Sequence, residues 1–338
     1  MVRISRALFP FVLACSSPSS PPETEPEAPP KPLTWSVAAP CPLARFEANG
    51  VVVDGELWVM GGFVSASLEV TRRIDIYNPT TDTWRKGPDL PGAETHMAVV
   101  AMNRDLVVAG GFSGNFSFSS RLPTTDAVWR WNAATATWIA GPPLPVAGAA
   151  FAWALLGSQL HLAGGLGPDG DTDATVHHVW DLFGPALWTE AAPLPGGRNH
   201  GGGAAAGGRF YALAGRLRWD EAEGDLAEVD AFEPATNTWS SRAPILGARS
   251  EIGASTGALA DGRILVVGGS VPGVMPSDDV LAYDTTHDEW SRLTSLPEKR
   301  KGAVAAQFGE RLVVTTGSPT SIDPSATTFV GCCLAPRR

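Results

Sequence analysis

Two positions recur about every fifty residues in this 338-residue chain, and nine of their twelve residues are arginine, glutamate or histidine. The first carries Arg45, Glu94, Gly148, Arg198, Arg249 and Arg300. The second, two residues further on, carries Glu47, His96, Ala150, His200, Glu251 and Gly302. A guanidinium is a planar fork of donors that fits a carboxylate through paired hydrogen bonds, so the arginines suit an acidic partner group or a sugar acid. The same arginines could instead form ion pairs between repeats and cap loop carbonyls; both roles can hold at once. Glu94, His96, His200 and Glu251 have the titration range for general acid–base work, but spacing selects no pair among them. No catalytic residue is assigned on this basis.

Two smaller signals point to metals. Asp169-Gly170-Asp171-Thr172-Asp173 alternates carboxylates like the start of a calcium loop, but Trp180 stands where the closing glutamate belongs. His177-His178 and His287 have no further ligand nearby in sequence. The sequence therefore carries no metal motif and implies no cofactor.

The elements that must position these residues are announced by tryptophan. Trp35, Trp84, Trp138, Trp188, Trp239 and Trp290 stand at nearly even steps, each in a similar local context. A fixed period of this length means one supersecondary unit repeated. The clearest copy runs from Glu47 to Pro91. Two short strands, Val51–Val53 and Leu57–Met60, flank an Asp54-Gly55 hairpin. Gly61-Gly62 ends the second strand, where glycine allows a positive φ and the close approach of a neighbouring ring. A third strand, Ile74–Tyr77, turns through Asn78–Asp82 into a fourth at Thr83–Arg85. Four antiparallel strands per period make one blade of a β-propeller.

The other copies follow the same order. Gly110-Gly111, Gly164-Gly165 and Gly268-Gly269 repeat the diglycine, while Ala214-Gly215 and Thr316-Gly317 keep only its second member. Tyr77, Trp131, Trp180, Phe232 and Tyr283 precede the turn. This pattern resembles the kelch-repeat family, over Leu33 to about Gly331. The resemblance implies an all-β, six-bladed propeller. The copy at Trp35 has no strands before it and the copy from Arg300 has no Trp after it. The N-terminal strand is therefore expected to close the C-terminal blade and remove an open edge.

Strand parity puts the links between blades and the loop after each second strand on one face, and the tight turns on the other. The first face is heterogeneous, with long loops over Phe112–Thr125, Leu166–Val176, Arg216–Glu228 and Ser270–Asp279, where binding is expected. The two recurring positions begin the innermost strands, so their side chains are expected to ring the channel mouth. In kelch propellers the matching arginines contact acidic partner groups. The resemblance thus implies a ligand site at Arg45, Glu47, Glu94, His96, Arg198, His200, Arg249, Glu251 and Arg300. The ligand would be a protein or a carbohydrate. Envelope members of the family include sugar mutarotases, which makes a sugar-acid mutarotase or epimerase the alternative reading. A copper radical oxidase is excluded, because Tyr77, Tyr211 and Tyr283 all fall on structural strand positions and no Tyr–Cys pair remains.

The net charge of −10 argues against nucleic acid. No apolar run approaches the ~20 residues of a membrane-spanning helix. The N-terminus is distinct. Met1–Arg6 is basic, Ala7–Leu13 is apolar, and Val12-Leu13-Ala14-Cys15 resembles a bacterial lipobox. That resemblance implies a signal peptide over 1–14, lipidation of Cys15 and, with Ser16 next, outer-membrane sorting. An ordinary secretory signal or a misplaced start is the other reading. Residues 15–32, rich in Ser, Pro and Glu, would form a tether, and 33–338 the propeller. The membrane is touched only through the lipid, and a monomer is expected. Cys41 stands where other copies have Leu90, Leu144, Leu194, Ile245 and Leu296, so it reads as a buried apolar residue rather than a staple to Cys332 or Cys333.

Overall fold

The computed structural model describes residues 32–114, 123–218 and 224–334. The leader, Cys15 and all of the tether except Pro32 lie outside the described residues, as do the centres of two long loops. Among the described residues, no helix is long and apolar enough to cross a membrane.

Six four-stranded antiparallel sheets follow one another along the chain. In the first blade, Asn49–Val53, Glu56–Met60, Ile74–Asn78 and Thr83–Lys86 pair in chain order. The Asp54-Gly55 turn has φ of 51° and 76° at its two residues, the left-handed pair that matches strand twist. The sixth blade takes three strands from the C-terminal part and its outermost strand, Thr34–Ala38, from the N-terminal part, with Trp35 opposite Gly331. The innermost strands touch in a closed cycle, each against the next and the sixth against the first. These are the six blades, closed by the N-terminal strand, that the orphan Trp35 predicted.

The diglycine explains how blades are fastened. The second glycine's N–H donates to the carbonyl of the arginine-position residue of the following blade in every copy. The bonds are Gly62 to Glu94 (3.2 Å), Gly111 to Gly148 (2.9 Å), Gly165 to Arg198 (2.8 Å), Gly215 to Arg249 (2.8 Å), Gly269 to Arg300 (2.8 Å) and Gly317 to Arg45 (2.9 Å). At these glycines φ runs from 83° to 113°, and a Cβ would lie within 3 Å of a backbone atom of the inner strand or its approach. Only glycine fits there. The first member has a smaller φ, 52° at Ala214 and 60° at Thr316, which other residues reach at a cost. What approaches the second glycine in every copy is backbone, and the expected aromatic ring joins it at Gly165, where Phe151 would lie 2.7 Å from a Cβ.

The Trp lead-in has a reciprocal logic. Trp84 Nε1 donates to the Ala39 carbonyl (2.8 Å), and the Ala39 N–H donates to Asp82 (2.8 Å). Trp239 and Asn237 hold Ala192 in the same way, and Trp290 and Asp288 hold Ala243. An Asp or Asn two residues before the Trp therefore clips one blade's outer strand to the end of the previous one. Ala136 breaks the rule, and Trp138 Nε1 lacks a hydrogen-bond partner among the described residues. The preceding aromatics stack on the tryptophans, with Tyr77–Trp84 at 5.0 Å and Tyr283–Trp290 at 4.9 Å. Cys41 is 3% exposed, matching Leu90, Leu144, Leu194, Ile245 and Leu296 at 0–4%, and its thiol is unpaired.

Candidate functional site

The two recurring positions part company in space. Arg45, Arg249 and Arg300 are at most 1% exposed and Arg198 is 6% exposed, so none of them rings the mouth. Each guanidinium turns into its own blade. Arg45 pairs with Asp75 and donates to the Arg73 carbonyl (2.9 Å). Arg198 meets Asp230 at 2.6 Å, and Arg249 meets Asp279 at 2.9 Å and the Gly268 carbonyl at 3.0 Å. Arg300 pairs with Glu298 (2.7 Å) and lies 5.4 Å over the Phe329 ring. These side chains satisfy loop carbonyls and buried acids, and a ligand cannot reach them. The ion-pair and capping alternative is the one the fold adopts, within blades rather than between them.

Glu94 occupies the same buried position in the second blade, at 4% exposure. Register places Trp129 where Asp75 and Asp230 stand in blades one and four. Among the described residues its carboxyl has no cationic partner, and burial pushes its pKa up to about 7. It too is withdrawn from the mouth.

The second position behaves oppositely. Glu47, His96, Ala150, His200, Glu251 and Gly302 all have φ between 51° and 59°. This left-handed step turns the chain at the axis and links the blades through backbone. Ala150 N–H donates to His96 (3.0 Å), His200 to Ala150 (3.1 Å), Glu251 to His200 (2.8 Å), Gly302 to Glu251 (2.9 Å) and Glu47 to Gly302 (2.8 Å). The sixth link comes from a side chain, Thr95 Oγ1 donating to the Glu47 carbonyl at 2.7 Å. All six residues line one axial cavity, as the sequence predicted for this position, with Trp153 and Phe151 among the other lining groups.

Four of the six carry polar side chains that converge. His96 Nε2 lies 3.1 Å from Glu47 Oε2, and the His96 and His200 rings meet edge to face at 4.7 Å. Lys301 Nζ sits 3.8 Å from Glu47 and 4.0 Å from Glu251, and Arg216 is 3.7 Å from Glu251. Burial, reinforced by the Glu251 charge, raises the Glu47 pKa. Burial pushes Glu251 the same way, but the Lys301 charge leads the opposing effects that hold this carboxylate well below its usual range. Burial drops the His200 pKa to about 3, so its ring is neutral. One carboxyl is thus pushed toward holding a proton and its neighbour toward the anion. The space between them is about 40 Å³, room for a few waters.

Sequence reasoning missed Lys301, Arg216, Asp225 and Asn199. Asn199 and Lys301 stand between the two recurring positions, where other blades have Phe46, Thr95, Ala149 and Ser250. Each such residue bridges to the residue after a diglycine, and the pairs divide the mouth. Phe46 meets Phe63, Thr95 meets Phe112 and Ala149 meets Leu166 in blades one to three. Asn199 meets Arg216, Ser250 meets Ser270 and Lys301 meets Ser318 in blades four to six. One half of the mouth is mainly apolar and the other polar.

The third blade has Gly148 at the arginine position, and register places His178 where Asp75 and Asp230 stand in blades one and four. A cavity of about 290 Å³ opens beside it on the loop face, walled by Val146, Phe151, Leu166, Ala174 and Val176. His178 borders it at 1% exposure, and both ring nitrogens lack hydrogen-bond partners. The remaining sequence candidates are internally engaged. Asp169 accepts from the backbone of Asp171 and Thr172, and Asp173 holds Asn199 and the Arg218 N–H. His177 pairs with His161 at 2.9 Å, and His287 with Asp284 at 2.8 Å. Tyr77 and Tyr283 are buried, their hydroxyls donating to Asp82 and Asp288.

Comparison with known proteins agrees with this geometry. A family model described as the Kelch motif matches residues 44–91, 95–145 and 255–297. The chain is similar to the Kelch-like protein terF of Aspergillus terreus, at 25% identity over 61% of this chain and 46% of that protein. It is similar to bovine Kelch-like protein 36, at 27% identity over 80% of this chain and 43% of the relative. Human Kelch-like protein 34 is 28% identical over 69% of the chain and 36% of its own length. The chain thus spans less than half the length of these relatives. With the matching motifs, six second glycines and six closed sheets, this is a six-bladed β-propeller that carries kelch motifs.

Proposed function

We propose that this propeller is a binding protein of the bacterial cell envelope, anchored through a lipid on Cys15 in the outer membrane, that takes a partner protein on its loop face. The observation that carries the binding half is the cavity at the third blade. At about 290 Å³, with apolar walls and one buried imidazole, it matches a pocket for a single large side chain of a partner. Val146, Leu217, Leu246, Val274 and Met275 are exposed on loops and links of the same face, which supports a broad contact around that anchor. The envelope half rests on the lipobox-like Val12–Cys15 and the tether after it.

A photo-crosslinking residue at Val146 should capture a partner in the envelope fraction, and one at Thr286, on the turn face, should not. Filling the cavity with Ala174→Trp should abolish the Val146 product. Equal capture from both faces, or no effect of the filling, overturns the binding reading. Labelled fatty acid should enter the wild type and not Cys15→Ser; equal labelling overturns the anchor alone. The mutarotase alternative has acid–base groups in Glu47, Glu251 and His96, yet about 40 Å³ between them is too small for a sugar ring. Anomer exchange of a sugar acid above the buffer rate, lost in Glu251→Gln, would restore it.

A further inference from the structure

The axial cluster has a feature that neither packing nor protein binding accounts for. His96 Nε2 and Glu251 Oε2 are buried on residues from different blades that face one small space, and among the described residues each has the Glu47 carboxyl as its nearest candidate partner. A buried polar atom left unpaired costs about 1–3 kcal/mol, and the single proton that Glu47 can carry serves only one of the two, which leaves a demand for a ligand.

The surrounding hydrogen bonds fix what each group can offer. Thr95 Oγ1 gives its proton to the Glu47 carbonyl, so at 3.1 Å from His96 Nδ1 it can only accept. His96 therefore carries its proton on Nδ1 and presents the Nε2 lone pair to the cavity. His200 Nδ1 faces Asn199 Oδ1, and the Asn199 amide nitrogen is spent on Asp173. The amide oxygen thus accepts from Nδ1–H, which leaves the His200 lone pair on Nε2. Lys301 and Arg216 face Glu251 Oε1 at 4.0 and 3.7 Å, and the Glu47 carboxyl is the other polar neighbour of this side chain. Histidines locked by their other nitrogen and a carboxylate gripped by one oxygen are how outer partners aim metal ligands. The three ligand atoms lie within 4.8 Å of one another. Three tetrahedral ligands at about 2.0–2.2 Å from one ion stand roughly 3.3–3.6 Å apart, so closure takes a side-chain shift of about 1 Å. His96 Nε2 also meets Glu47 Oε2 at 3.1 Å, a contact that a proton on Glu47 satisfies in the free protein and that a cation would replace.

We propose that the propeller axis binds one divalent transition-metal ion through His96, His200 and Glu251, with Glu47 beside it. Two imidazoles and one carboxylate select zinc or iron(II) over calcium or magnesium, whose ligands are oxygens. The space of about 40 Å³ fits an ion and its water, and three protein ligands leave a coordination position open. The ligands come from links entering blades two, four and five, so the ion would also tie those blades together at the axis. None of them is near in sequence, which is why no motif announced the site.

Full-length protein stripped by chelator and titrated with cobalt(II), then with zinc, should bind one equivalent per chain. The cobalt form should show ligand-field absorption of a nitrogen–oxygen site, and zinc should raise the melting temperature. His96→Ala and Glu251→Gln should each lose at least about 100-fold in affinity, and Asn199→Ala roughly 10–100-fold, as for a lost outer partner. Melts without metal show which variants remain folded; His287→Ala, at an exposed turn, should bind like wild type. Absence of saturable binding by the wild type overturns the site. So does binding that survives in folded His96→Ala and Glu251→Gln, or that vanishes instead in Cys332→Ser with Cys333→Ser.

Discussion

Arg198 and His200 are two residues apart and belong to the same sixfold pattern, yet the molecule uses them in opposite ways. The arginine ring is withdrawn: its side chains run into the blades, and its carbonyls receive the second glycines. The ring two residues on is delivered to the axis by a left-handed step that costs roughly 1–2 kcal/mol for a residue with a side chain. Ala150 and Gly302 show that this step is a property of the fold rather than of the polar residues placed on it. The first ring therefore bears stability, and the second carries whatever chemistry the axis has.

The largest test of that division is Arg198→Ala. It strands Asp230 in a site where both partners are nearly buried, and should lower unfolding free energy by about 3–5 kcal/mol in urea titrations. Adding Asp230→Ala should recover part of the loss, and a double variant no better than the single one would show that the ion pair is not what holds this ring. Next comes Glu94, the acid in the arginine ring. Its folded pKa of about 7 lies above the unfolded value, so the stability it contributes is full below about pH 4.5 and is lost as pH rises through 7. Between pH 5 and 8 the wild type should weaken by up to roughly 3 kcal/mol, and Glu94→Gln should flatten the profile. A wild-type profile that rises over this range would contradict the assignment.

Thr95→Val should cost about 1–2 kcal/mol, because it removes the one hydroxyl that completes the axial cycle and leaves the Glu47 carbonyl unpaired. His200→Gly should have the smallest effect, within about 1 kcal/mol of wild type in the same titration. Relief of the left-handed step offsets the lost packing against His96. A loss as large as that of Arg198→Ala would erase the distinction between the two rings.

Much of this was legible in the chain. Six glycines at one register position announced a shared positive φ, though not the clasp it serves, and Trp35 without preceding strands announced the closure, because backbone requirements leave direct marks on residue choice. The axial site was half legible. Spacing marked both rings equally, but which one faces the axis depends on a backbone φ that Glu, His and Ala do not advertise as glycine does. Asn199 and Lys301 differ from Phe46 and Ala149 in polarity alone, and their meaning appears only once Asp173 and Glu251 are brought beside them.

The clasps also set an order of assembly. Five of the six join neighbouring blades, so each can form as soon as the next fifty residues are present. The sixth joins Gly317 to Arg45, and the outer strand Thr34–Ala38 must wait with it for Thr328–Cys332. During synthesis the first blade therefore stands with its flank unpartnered until almost the whole chain exists. Contacts of such long range are slow to form, and until they do two strand edges stay open to pairing with another molecule. The last step of folding and the period of greatest exposure to aggregation are, for this propeller, the same event.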